Sequence, residues 1–201
     1  LAHAPEGVVP GNPLQLGLRI EHQPHRHTYW KNPGDSGLPT TLAFALPPGF
    51  AVGDIRWPTP QKLPIGPLMN FGYEGTLLLP LEVKVPAGFA GETVPIQLRA
   101  DWLVCKDVCI PEGGDFALQL PARAATAAHP APFPAAAAAT PARAGEAKAG
   151  AEIRDGALHV SISGLPAAWH GKALQFFPET AGVLANAAPE QGRWDGATWS
   201  A

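Results

Sequence analysis

Residues 94–120 read VPIQLRADWLVCKDVCIPEGGDFALQL. Up to Val104 the apolar residues take every second position. Val94, Ile96, Leu98, Ala100, Trp102 and Val104 alternate with Pro95, Gln97, Arg99 and Asp101. Period-two alternation marks a strand with one buried face. Phe116, Leu118 and Leu120 resume it after PEGG. The same pattern recurs upstream: Leu14, Leu16, Leu18 and Ile20; Leu42, Phe44 and Leu46; Leu77, Leu79, Leu81, Val83 and Val85. The stretches KNPGDSGLP, LPPGF, RWPTPQKLPIGP and VPAGFAGE punctuate these runs as turns and loops. No amphipathic helix stands out before residue 122. Many short strands joined by turn-rich loops predict an all-β, immunoglobulin-like antiparallel sandwich over residues 1–121.

Composition sets the limits around that reading. With 22 Gly and 24 Pro in 201 residues, the chain has too many breakers for a helical bundle or coiled coil. A hydrophobic fraction of 46% supports a buried core, and a formal net charge of −3 argues against nucleic acid as the main partner. No apolar run approaches the ~18 residues of a membrane span. The opening LAHAPEGVVPG lacks the pattern of a signal peptide, but Ala2-His3-Ala4 fits the small-residue site at which one is removed. Residues 122–150 are rich in Ala, with Pro at 130, 132, 134 and 141, and read as a semi-flexible linker. A short helix around Ala135 to Ala139 is the alternative. Alternation resumes at Leu158, Val160 and Ile162, LQFFPE and GVLANAAPE follow, and WDGATWSA reads as strand again. A second, smaller strand-rich domain over residues 151–201 is expected. Some fifty residues are marginal for an independent β domain, so it is either cut short or continued in a longer parent.

The two cysteines, Cys105 and Cys109, are the sequence's most informative pair. Cys105 shares strand parity with Arg99 and Asp101, so it faces away from the core. Lys106, Asp107 and Val108 then form a short hairpin loop, and Cys109 returns opposite Cys105 on the same outer face. Facing Cβ atoms lie about 4.5–5.5 Å apart, close to disulfide distance. Three readings stay open on chemistry alone. A redox-active dithiol opens and closes with little backbone movement. A structural staple closing so short a loop contributes only about 2 kcal/mol. A zinc site needs two further ligands, and no second cysteine pair supplies them. Lys106 favours a neighbouring thiolate and Asp107 opposes it, so local charge gives no net direction. A loop rich in aromatics, MNFGYEG (69–75), is a candidate cover for the pair.

HTYWKNPGDSG (27–37), GDIRWPTPQ (53–61), NFGYEG (70–75) and WLVCKDVCIPE (102–112) occur here in that order. With them the chain resembles the periplasmic N-terminal region of DsbD-like thiol:disulfide interchange proteins, nearest the ScsB subgroup linked to suppression of copper sensitivity. The resemblance is strongest across residues 8–121. It implies that Cys105 and Cys109 are the redox pair, with Cys109 bonding the partner and Cys105 resolving the intermediate. It implies a cap over the pair, for which Phe71 and Tyr73 are the candidates. It further implies a protein-disulfide reductase that needs no cofactor beyond its cysteines. Electrons would come from transmembrane and thioredoxin-like domains of a parent inner-membrane protein and pass to periplasmic thioredoxin-like proteins or disulfide isomerases. The chain would then be a soluble periplasmic piece of that parent.

Other constellations are weaker. His25 and His27 share strand parity and suggest a two-ligand copper site, whereas His22 lies on the other parity. The alternative function is therefore a non-catalytic interaction or copper-binding sandwich with a structural disulfide. Lys31, Asn32 and Asp35 read first as turn formers. Trp102 is expected in the core beneath the cysteine hairpin. GDSG has no accompanying His and Asp pattern that would make a serine nucleophile.

Overall fold

Every alternating run becomes a strand. The computed structural model describes residues 1–122, 124–126 and 132–201. In chain order the strands are β1 (Ala2–His3), β2 (Pro13–Glu21), β3 (His27–Gly34), β4 (Thr41–Ala45), β5 (Ala51–Val52), β6 (Gln61–Ile65), β7 (Leu68–Glu74) and β8 (Thr76–Lys84). The long pair β9 (Thr93–Cys105) and β10 (Cys109–Pro121) follows. Helix α1 (Pro132–Ala139) precedes β11 (Lys148–Arg154), β12 (Ala157–Ser163), β13 (Arg193–Asp195) and β14 (Thr198–Ser200).

The first ten strands form two antiparallel sheets. One has the order β1-β2-β8-β5; the other runs β10-β9-β3-β7-β6, with β4 also paired to β9. The even-spaced leucines of β2 and β8 face the second sheet. Leu14, Leu16, Leu81 and Val83 meet Val94, Ile96 and Leu120, while Leu18, Ile20, Leu77 and Leu79 meet Trp30, Phe71, Tyr73 and Ala100. Each such side chain contributes about 1.5–3 kcal/mol when withdrawn from water. This is the expected all-β, immunoglobulin-like arrangement.

The Ala/Pro-rich stretch departs from the linker expectation: the short-helix alternative is what forms. Residues 123 and 127–131 of that stretch lie outside the described residues. Pro132 and Pro134 sit in the first turn of α1, where backbone N–H groups have no intrahelical acceptor and proline costs least. Five alanines then propagate the helix. Thr59 N–H and its hydroxyl both donate to Ala139 O at the other end, at 2.8 and 3.1 Å. Phe133 and Ala136 pack on Leu78, which β8 presents on its outer face.

A third antiparallel sheet, β11-β12-β14-β13, buries Val160, Leu165 and Trp199 as its own small core. Residues 174–190, read as following strands, form none. They lie against the first unit instead. Phe177 packs edge-on to Trp30 and Phe71, with ring centres at 6.3 and 5.4 Å. Ion pairs Lys31–Glu179 and Lys62–Glu190 flank it. Among the described residues, no helix is long and apolar enough to cross a membrane.

If α1 is a docked element, removing its anchor must cost stability. Phe133→Ala should destabilise the protein by about 3 kcal/mol in urea unfolding. A cost below about 1 kcal/mol would mean the helix contributes little to the fold.

Candidate functional site

The site grows from one register. Cys105 closes β9 and Cys109 opens β10, and the two pair directly across the hairpin. Lys106, Asp107 and Val108 form the exposed loop between them. The cysteines are joined as a disulfide with Cα atoms 4.1 Å apart. Parity places Cys105 as expected, on the face opposite Ala100 and Trp102. That face is not open, however: Cys105 is 1% exposed, whereas Cys109 is exposed. Trp102 lies half-buried against the core cluster of Leu18 and Trp30.

Strand β3 flanks Cys105 in the sheet. His27 pairs directly with Cys105 on one side and with Glu74 of β7 on the other. Cys109, Cys105, His27 and Glu74 therefore stand in a row across β10, β9, β3 and β7, with side chains on one face. Two residues on, Tyr29 turns its ring edge to His27, with centres 5.2 Å apart. Its hydroxyl lies 3.4 Å from Cys109 Sγ. A disulfide sulfur carries no proton, so the phenol donates. Burial pushes the Tyr29 phenol up, against a smaller opposing hydrogen bond with Ser36, so it stays a neutral donor at ordinary pH.

The KNPGDSG loop holds Tyr29 in place. Gly37 has φ +98, and a Cβ there would stand 2.3 Å from the tyrosine ring, so only glycine fits. Asp35 accepts from Met69 N–H at 2.8 Å, and Ser36 donates to Asn70 Oδ1 from both its N–H and hydroxyl at 3.1 Å. Two motifs distant in sequence are thus stitched together. Asn32, almost fully buried, donates to Pro178 O at 2.8 Å, which ties the loop to the segment carrying Phe177.

Phe71 and Tyr73 are not the cover. Tyr73 pairs with Thr28, one step out of phase with the His27–Glu74 pair, so both aromatics face the core. Tyr73 donates to Pro58 O at 2.7 Å, and burial pushes its phenol up. The aromatic side chain that reaches the cysteine pair is Tyr29. Sequence reasoning missed it because β3 meets β9 only through a non-local pairing, although HTYW adjoined the loop already singled out. The paired-histidine reading also changes. His25 lies in an exposed turn with φ +64, ahead of β3, and His27 is buried within the strand. Strand parity does not relate them. Among the described residues, no three His, Cys, Asp or Glu side chains converge as a metal site.

The Tyr29 contact predicts a measurable effect on the reduced protein. Tyr29→Phe should raise the Cys109 thiol pKa by about one unit, because a donor to the thiolate is lost. The pH dependence of iodoacetamide alkylation reads this. An unchanged profile would show that the hydroxyl does not serve the sulfur.

Comparison with known proteins bears on this geometry. The family model for the N-terminal region of thiol:disulfide interchange protein DsbD matches residues 2–121. Among solved structures, the crystal structure of the N-terminal periplasmic domain of ScsB from Proteus mirabilis has a similar fold, with a TM-score of 0.66 and 20% identity. The match covers 96% of this chain and 74% of that one. Comparison with curated proteins gives no match.

Proposed function

The chain belongs to the DsbD N-terminal family of thiol:disulfide interchange proteins, and from that membership we propose that Cys105 and Cys109 pass reducing equivalents to partner proteins. The observation that carries the reading is the unequal exposure of two directly paired cysteines. Cys109 is exposed to a partner, while Cys105 is buried beside His27.

In the reducing direction, the Cys109 thiolate attacks one sulfur of a partner disulfide. The S–S bond breaks, and the partner's second sulfur leaves as a thiolate. The Cys105 thiolate then attacks Cys109 Sγ, and the partner's first sulfur leaves with the bonding electrons. The Cys105–Cys109 disulfide is formed, two electrons have moved to the partner, and its two thiolates take up the protons released. No metal or nucleotide enters this balance. The short Cα separation lets the bond open and close with little backbone movement.

Specificity must come from docking. Val108, in the loop beside Cys109, is 70% exposed and offers an apolar contact to another protein. The partners proposed are thioredoxin-like proteins or disulfide isomerases, with electrons supplied by thioredoxin-like and transmembrane domains of a parent protein. A periplasmic setting follows from the proposal and accords with the compartment of the similar ScsB domain.

A structural staple would behave differently. The exchange reading expects a reduction potential above about −300 mV in equilibrium with glutathione. It also expects Cys105→Ser to accumulate a mixed disulfide through Cys109 with a purified thioredoxin-like disulfide, and Cys109→Ser to form none. A potential well below that value, with no trapping, would make the bond structural.

A further inference from the structure

The buried sulfur poses a problem that the exchange mechanism leaves unsolved. Cys105 must become a thiolate to resolve the mixed disulfide, but burial disfavours the charged form and keeps out water as a base. Lys106, next in sequence, is exposed in the loop. The neighbour on the same sheet face is His27. Directly paired residues hold their Cβ atoms about 4.5–5.5 Å apart, within reach of an imidazole and a thiol.

His27 is an unusual occupant of a strand interior. It is 4% exposed, and its Nε2 finds no hydrogen-bond partner among the described residues. A buried polar atom left in this way is costly and calls for a reason. In the Nδ1–H tautomer, Nε2 presents a free lone pair.

Resting on the exchange reading above, we propose that His27 accepts the proton of the Cys105 thiol in the resolving step, with Glu74 supporting the imidazolium from the far side. The Cys105 S–H bond breaks and its proton passes to His27 Nε2. The thiolate attacks Cys109 Sγ, and the Cys109–partner bond breaks with its electron pair on the leaving sulfur. The imidazolium then returns the proton to that thiolate. Cys105 and Cys109 are oxidised, the partner is reduced, and His27 is regenerated.

The surroundings suit a base that is neutral before the step. Burial pushes the His27 imidazole down, and neighbouring His22 adds to this, while Glu74 opposes both. The groups facing it are Cys105 from β9, Glu74 from β7, Tyr29 on its own strand and His22 from the preceding turn. Glu74 is exposed, and its charge favours the imidazolium as it forms.

The experiment uses reduced protein and the coloured disulfide dithiobis(nitrobenzoate). The first nitrothiobenzoate released reports attack by Cys109, and the second reports resolution by Cys105. In the wild-type protein the second phase should level off by neutral pH. His27→Gln should slow it about 100-fold relative to the first phase. Its rate should then rise tenfold per pH unit well above pH 8, following the thiol itself. Glu74→Gln, on an exposed side chain, should move the wild-type plateau to lower pH, because the imidazole loses the charge that raises its pKa; it decides the matter if His27→Gln does not fold. Unaltered second-phase profiles in the variants that fold would overturn the role of His27 and leave exchange standing. A wild-type protein that releases no second equivalent would overturn the exchange reading itself.

Discussion

One cross-strand level carries the site: the row in which β10, β9, β3 and β7 bring Cys109, Cys105, His27 and Glu74 abreast. A slip of one residue in any of these strands would turn its member of the row toward the core. The register is held by what lies on the other face. Val94, Ile96 and Ala100 of β9, and Trp30 of β3, are buried in the sandwich, so a slip would exchange those apolar positions for Arg99, Asp101 or Lys31. The hydrophobic core thus holds four chemically useful side chains in line without touching most of them.

Around that row the structure spends its polar contacts on Tyr29. The loop after it is held where Asp35 accepts from Met69 N–H and Ser36 donates to Asn70 Oδ1 of β7, and where Asn32 donates to the backbone of Pro178. The last contact comes from the strand-poor segment of the second unit, whose Phe177 also enters the aromatic cluster of the first. The loop that follows Tyr29 is therefore held from both units. Tyr29 can keep its hydroxyl on one sulfur only while the loop bearing Gly37 stays closed over the ring.

Much of this was legible in the sequence, and the failures share a cause. Local alternation placed the strands, and the parity of Cys105 against Trp102 placed the disulfide on the outer face. Parity within one strand cannot say which distant strand lies alongside. Aromatic content and resemblance point to Phe71 and Tyr73, although their pairing with β3 turns them inward, and neither points to Tyr29. The helix was hidden because prolines were counted as breakers without regard to position; Pro132 and Pro134 fall in the first turn. His25 and His27 were related by a strand that begins only at His27.

The unequal burial of the two sulfurs also bears on damage. A peroxide reaching the reduced hairpin meets Cys109 first and leaves a sulfenic acid there. Cys105 lies directly opposite, so its thiol can condense with that group, expelling water and closing the disulfide before a second oxygen is added. Over-oxidation to the irreversible sulfinic state would need the second attack to outrun a neighbour already in place. The hairpin is thus built to fail into a form that a thiol can restore.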